Sequence, residues 1–396
     1  MAVAKKMLQF MESGSWIRKM FEEGARLKKI HGDEKVFDFS LGNPNVPPPD
    51  LVKDKLLEII KKDAPGLHAY MPNVGLQETR SAVSAYLCRE QCVSLAEKHI
   101  IATCGAAGAL NIILKALLDP GDELMVPAPY FVEYGFYADN HGGTLKAVPT
   151  RDDFTLDLEA MEREIGPKTK IVLINSPNNP TGQIYSEESL RELGRILERK
   201  SEAFGHTIYL VSDEPYRKIV YDSCCVPCIF KCYRDSLIGT SYSKDLSLPG
   251  ERIGFVAVSP EAKDASSLVD ALSLANRILG FVNAPVLMQR LVVELQGLCV
   301  DVDIYKRKRD IIVKGLRDAG YELTVPAGAF YLFPKSPLKD DVKFVKLLQE
   351  ENILVVPGSG FGGPGHFRIA YCVDDRTIEN SIPGFRRAME RAKSIG

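Results

Sequence analysis

The chain has 396 residues, 45% hydrophobic and 26% charged, the balance of an ordinary globular protein rather than a disordered or membrane-embedded one. Single cores rarely grow past roughly 250–300 residues, so more than one lobe is expected. A formal net charge of -2 leaves no basic excess for nucleic acid or for an anionic membrane surface.

At the N-terminus, Lys5 and Lys6 precede the apolar run Met7-Leu8-Gln9-Phe10-Met11, but Glu12 interrupts it. No signal peptide is expected, and the cytoplasm is the default location. No apolar run approaches the roughly 18 residues of a membrane span. Residues 37–42 alternate like a strand and end at a Gly/Pro-rich bend over 43–49. Helical patterns follow at 51–62 and 77–92. Strand patterns at 122–126, 170–175, 207–211, 237–240 and 253–258 then alternate with helical ones at 108–118, 156–165 and 187–203. Such alternation predicts an α/β domain with a mostly parallel sheet.

From about residue 286 the character changes. Helices are expected at 286–299, 301–319, 342–351 and 377–394, and strands at 321–325, 330–334, 353–356 and 367–372. The expected organisation is a large α/β domain over residues 50–285 and a smaller α+β domain built from 1–49 and 286–396.

Nine cysteines, an odd number, read as reduced thiols rather than as a disulfide framework. Cys224, Cys225, Cys228 and Cys232 cluster at a spacing that zinc or iron–sulfur sites use. No second cysteine pair or nearby histidine completes the pattern, so no metal is expected.

The strand at 237–240 runs into Ser241-Tyr242-Ser243-Lys244, and Arg252 follows before the next strand. A lysine amine can form a Schiff base with a carbonyl substrate or with pyridoxal phosphate. Hydroxyls and an arginine beside it suit a phosphate. Alone, such a lysine is more often a solvated surface residue. Its placement counts for more, because ligands of open parallel sheets bind at the carboxyl ends of strands.

Other strand ends carry similar groups. Ser176-Pro177-Asn178-Asn179-Pro180-Thr181-Gly182 reads either as a plain turn or as an amide aimed into a cleft. In Asp213-Glu214-Pro215-Tyr216, the aspartate is a cap or the partner of a pyridine nitrogen, with a phenol three residues on. Gly105-Ala106-Ala107 opens a helix, either for close packing or for an anion at the helix N-terminus. Phe131 follows the strand at 122–126, where a ring either stacks on a planar ligand or packs in the core. Arg368 sits inside a strand pattern, paired with an acid or clamping a carboxylate with two hydrogen bonds.

This ordered set resembles the class I/II aminotransferases, the aspartate-aminotransferase-like branch of fold-type I pyridoxal phosphate enzymes. The resemblance runs from about Phe37 to the C-terminal helix and includes Tyr70-Met71-Pro72-Asn73-Val74-Gly75. It implies that Lys244 would bind the cofactor as a Schiff base and then shuttle the proton. Asp213 would meet the pyridine nitrogen, Tyr216 and Asn179 the ring oxygen, and Phe131 the ring face. The loop at Gly105, with the Ala106 and Ala107 amides, Ser241, Ser243 and Arg252, would hold the phosphate. Tyr70 would reach the neighbouring subunit's phosphate, so the active unit would be a homodimer. Arg368 and the Gly42 backbone would hold the substrate α-carboxylate. Phe131 departs from the tryptophan often found at its position, which keeps the stacking but removes any indole hydrogen bond.

The implied function is amino-group transfer between an L-amino acid and a 2-oxo acid, of the aspartate/glutamate–2-oxoglutarate type. A C–S β-lyase or an aminocyclopropane-carboxylate-synthase-like lyase on the same fold is the alternative. A binding protein that merely retains the fold is a third reading, which the intact lysine opposes. Arg277 reads either as the cation for a distal carboxylate across the dimer or as a solvated helix arginine.

Overall fold

The computed structural model describes residues 3–12 and 16–395. Seven strands form the main sheet, in the order Ile100–Thr103, Gly254–Val258, Ser236–Ser241, Tyr209–Asp213, Thr169–Asn175, Glu123–Ala128 and Thr144–Pro149. Gly254–Val258 runs antiparallel to both neighbours. The remaining pairings are parallel.

Continuous apolar runs form these strands because both sheet faces are covered. Successive strand residues point to opposite faces. Ile171 and Leu173 accordingly join a core with the helices Gly105–Leu117 and Ala265–Ile278. Val172 and Ile174 join a second core with Gln77–Gln91, Glu187–Phe204 and Val286–Val293.

A third core lies around the antiparallel strands Val356–Pro357, Phe367–Ala370 and Tyr331–Leu332, with helices Val302–Asp318, Asp341–Glu350 and Asp375–Ile395. Phe37–Asp38 joins this part of the molecule, pairing in parallel with Ile353–Leu354.

Several expected elements differ from those observed. The helix expected over 286–299 stops at Val293, and Gly297 then turns with φ +88. Its Met288, Leu291 and Val292 pack under the main sheet, so the packing divides nearer Val300 than at residue 286. Residues 321–325 form no strand. The Tyr321 ring anchors them instead, its hydroxyl donating to the Phe385 carbonyl at 2.9 Å. Strands Ile100–Thr103 and Thr144–Pro149 and helices Lys5–Glu12, Trp16–His31, Glu133–Asn140 and Ala265–Ile278 were not expected.

The topology sets the site. Parallel strands bring Thr103, Ala128, Asn175, Asp213 and Ser241 to one edge, while the antiparallel strand brings its first residue, Gly254. A Cβ on Gly254 would lie 2.2 Å from the Thr240 carbonyl oxygen and 3.0 Å from Gly105 Cα. Glycine is therefore required where the helix start and two strands meet.

Candidate active site

A cavity of about 650 Å³ opens at this edge of the sheet, beneath Gly42 and Arg368. Lys244 reaches into it just past strand Ser236–Ser241, its Nζ donating to the Gly42 carbonyl at 2.8 Å. No carboxylate pairs with it among the described residues. Burial, with Arg368 and Arg252 adding, brings its amine down to about 8. A fraction of Lys244 is thus neutral, and basic, near physiological pH.

Asp213 ends its strand in register with Asn175 of the neighbouring one. Asn175 Nδ2 donates to the Asp213 carbonyl at 2.8 Å, and Tyr134 Oη donates to Asp213 Oδ2 at 2.6 Å. The other carboxylate oxygen, Oδ1, is buried without a partner. Burial, with Glu214 contributing and Tyr134 opposing, pushes the Asp213 carboxyl up to about 7. An orphaned acceptor on a fully desolvated acid suits a cationic N–H donor.

One end of the cavity is built around helix Gly105–Leu117, whose first amides lack intrahelical acceptors. Gly105 has φ +73, and a Cβ there would lie 2.8 Å from an Arg252 terminal nitrogen. Arg252 lies over the helix start, donating to the Pro249 carbonyl at 3.0 Å. Ala106, Ala107, Ser241 and Ser243 line the same end of the cavity.

At the opposite end, Arg368 is only 2% exposed and lies between the Tyr331 and Phe361 rings, 4.8 and 4.6 Å from their centroids. One terminal nitrogen donates to Asn179 Oδ1 at 3.0 Å, while its Nε is buried and unpartnered. Asn179 is held in turn, its N–H donating to Asn175 Oδ1 at 2.6 Å. The Tyr216 and Tyr331 hydroxyls lie 2.7 Å apart. Burial and Tyr331 hold Tyr216 protonated.

Of the residues singled out in the sequence, Gly42, Phe131, Asn179, Asp213, Tyr216 and Lys244 line one cavity. Ala106, Ala107, Ser241, Ser243, Arg252 and Arg368 line it too, and Gly105 backs Arg252. Two do not belong to it. Tyr70 is 92% exposed, and Arg277 is exposed on helix Ala265–Ile278.

Cys228 is buried, the Cys232 thiol donates to the Cys228 carbonyl at 3.4 Å, and all nine cysteines are free. No group of metal-ligating side chains forms among the described residues. Nor is any described helix long and apolar enough to cross a membrane.

Sequence reasoning missed Tyr134, Asn175, Tyr331 and Glu133, all at or behind the cavity wall. Asn175 ends a strand whose sequence signal is its apolar run. Glu133 and Tyr134 follow Phe131 in a helix too short to show a period. Tyr331 is indistinguishable in sequence from a core aromatic.

A buried lysine, an aspartate at a neighbouring strand end and an arginine over an open helix start, on a sheet of this order, are the features of a fold-type I pyridoxal phosphate transferase. The chain belongs to the aminotransferase class I and II family, whose model matches residues 34–383. It is 31% identical to a probable aspartate/prephenate aminotransferase of Aquifex aeolicus, over 90% of this chain and 91% of that protein. An aminotransferase from Eubacterium rectale superposes with a TM-score of 0.96 at 41% identity, covering 99% of each chain. The aspartate aminotransferase of Thermus thermophilus, solved with maleate, gives 0.86 at 26% identity, over 98% of this chain and 100% of that one. The protein is an aminotransferase.

Proposed function

We propose that this aminotransferase uses pyridoxal phosphate to move an amino group between an L-amino acid and a 2-oxo acid in ping-pong order, with aspartate donating to 2-oxoglutarate and glutamate as the product. The observation that carries the cofactor is the buried, unpartnered Oδ1 of Asp213, a residue lining the cavity that Lys244 also enters. The names of the relatives support the substrate class. Maleate, seen with the Thermus enzyme, is a dicarboxylate.

When bound, pyridoxal phosphate supplies a ring that takes up the electron pair left at Cα. The remaining work falls to the chain. Arg252, Ser241, Ser243 and the amides at Gly105–Ala107 would hold the phosphate. Asp213 Oδ1 would accept a hydrogen bond from the protonated ring nitrogen and keep it charged. Tyr216, kept protonated by burial, would donate to the ring oxygen. Arg368 would grip the substrate carboxylate and so select which Cα bond is aligned for cleavage. Lys244 Nζ would take the Cα proton and return it to the carbon beyond the amino nitrogen, a transfer worth about 10²–10⁴-fold. Carboxylate retention by Arg368 favours C–H cleavage over decarboxylation.

Arg368, Lys244 and Arg252 each have a task in this scheme. A distal carboxylate needs a further cation, and the exposed Arg277 remains the candidate from a neighbouring subunit. We propose a homodimer in which Tyr70 completes the partner's phosphate site; its 92% exposure and position outside its own cavity support this. Two lobes, divided near residues 49 and 300, leave the cavity between them.

The test is a panel of amino donors with 2-oxoglutarate, run on the wild type and on Lys244→Ala. Aspartate should turn over with 2-oxoglutarate, and glutamate with oxaloacetate in the reverse direction, each forming its matching 2-oxo acid, and Lys244→Ala should lose about 10²–10⁴-fold or more in kcat. Pyruvate and ammonia from cystathionine, without transamination, would favour the lyase instead.

A further inference from the structure

Asp213 has two carboxylate oxygens, and rotation about its side chain would exchange them. Only one is free to meet a ligand. We infer that Tyr134 is a positioning residue, which engages Oδ2 of Asp213 so that Oδ1 is presented to the ring nitrogen of the cofactor. The inference rests on the proposed reading of Asp213 as the partner of that nitrogen.

The geometry is specific. Tyr134 lies in the first turn of helix Glu133–Asn140, 1% exposed, and its hydroxyl donates to Oδ2 at 2.6 Å. Asn175 Nδ2 stands 3.5 Å from the same oxygen but is turned mainly to the Asp213 carbonyl, at 2.8 Å. Asn175 Oδ1 is also engaged, by the Asn179 N–H. Tyr134 is therefore the strong side-chain donor that distinguishes the two oxygens. Burial and the adjacent Asp213 keep its phenol protonated, so it remains a donor.

The donors on Asp213 among the described residues are both neutral, a phenol and an amide. Neither supplies a counter-charge to a buried carboxylate. The arrangement fixes the orientation of the acid while leaving its charge for a cationic ligand to compensate. Tyr134 also meets Phe131 edge-on, with centroids 5.5 Å apart and planes at 85°. One ring thus braces both the acid and the aromatic that line the cavity.

A merely structural role would weaken every ligand alike, whereas positioning acts through the ring nitrogen. The discriminating probe is the 1-deaza analogue of pyridoxal phosphate, which carries C–H in place of that nitrogen. Dissociation constants of both compounds are measured for the full-length cofactor-free chain, in the wild type, Tyr134→Phe, Asp213→Asn and the double variant. The wild type should prefer pyridoxal phosphate. Tyr134→Phe should lose about tenfold or more of that preference, the scale of one hydrogen bond to a charged group, with analogue binding little changed. In the Asp213→Asn background the same substitution should leave the preference unchanged.

Equal weakening of both ligands by Tyr134→Phe, or an undiminished preference, overturns the positioning role. A wild type that does not distinguish the two compounds overturns the reading of Asp213 itself. Should Tyr134→Phe fold poorly, the ring-nitrogen ¹⁵N shift of labelled cofactor in Tyr134→His replaces it as the readout. A shift kept near wild type in Tyr134→His but moved toward that of Asp213→Asn in Tyr134→Leu supports the role, and a wild-type shift in both overturns it.

Discussion

Lys244 and Asp213 are opposite in charge, share one cavity and do not pair. Lys244 bonds a backbone carbonyl, and Asp213 bonds a phenol. Each is buried without a counter-ion, so burial moves both toward neutrality, the acid up to about 7 and the amine down to about 8. The two shifts act on stability in different pH windows. Between an unfolded carboxylate value of about 4 and the folded value, the folded chain binds a proton at Asp213 that the unfolded chain lacks. Stability from this group therefore falls as pH rises through that window, by at most roughly 1.4 kcal/mol per pH unit. For Lys244 the unfolded chain binds the extra proton between about 8 and 10.4, so stability rises with pH there. Denaturation midpoints of the cofactor-free chain, compared with Asp213→Asn, should differ by a sloping curve between pH 4 and 7 and by a level one between pH 8 and 10. A level difference throughout would show that Asp213 is not held at a raised pKa.

At the scale of elements, the antiparallel strand Gly254–Val258 explains why Arg252 precedes its strand whereas Asp213 and Lys244 lie at or just beyond the ends of theirs. Reversed direction brings the start of this strand to the ligand edge. Its first residue must be small, because Thr240 and Gly105 leave no room for a Cβ. Gly254→Ala should push the start of helix Gly105–Leu117 and Arg252 apart from the sheet, costing about 1–3 kcal/mol of stability. Cofactor affinity should fall by tenfold or more while Asp213 and Lys244 stay in place. Fluorescence titration with pyridoxal phosphate reads this, and unchanged affinity would remove the close approach from the phosphate site. The same elements show what was legible in the sequence. Ile171–Ile174 and Leu210–Val211 are fully buried, and their apolar runs announce strands. Thr144–Pro149 is an edge strand, half exposed and carrying Lys146, so it has no such run. Candidate site residues at turns were legible because Lys244, Asp213 and Asn179 interrupt apolar patterns with chemistry. Tyr134 and Tyr331 were not, because a buried phenol acquires its role only from the oxygen it meets across the fold.

At the scale of the whole molecule, one residue of the family pattern stands apart. Tyr70 is nearly fully exposed, and Leu57 and Ile60 on helix Asp50–Lys62 and Leu274 and Ile278 on helix Ala265–Ile278 are exposed apolar side chains. In the proposed homodimer a shared interface would bury groups of this kind. If Tyr70 serves the partner's cavity, each active site draws Lys244 from one chain and Tyr70 from the other. Lys244→Ala and Tyr70→Ala chains then complement each other. In a hybrid dimer one site lacks both residues and the other has both intact. Random reassembly of equal amounts makes half of the dimers hybrid, so about a quarter of all sites become wild type. Unfolding and refolding the two inactive variants together should restore activity toward that fraction, and refolding them separately before mixing should not. If Tyr70 instead acts within its own chain, co-refolded and separately refolded mixtures will have equal activity, because every hybrid site then lacks one of the two residues.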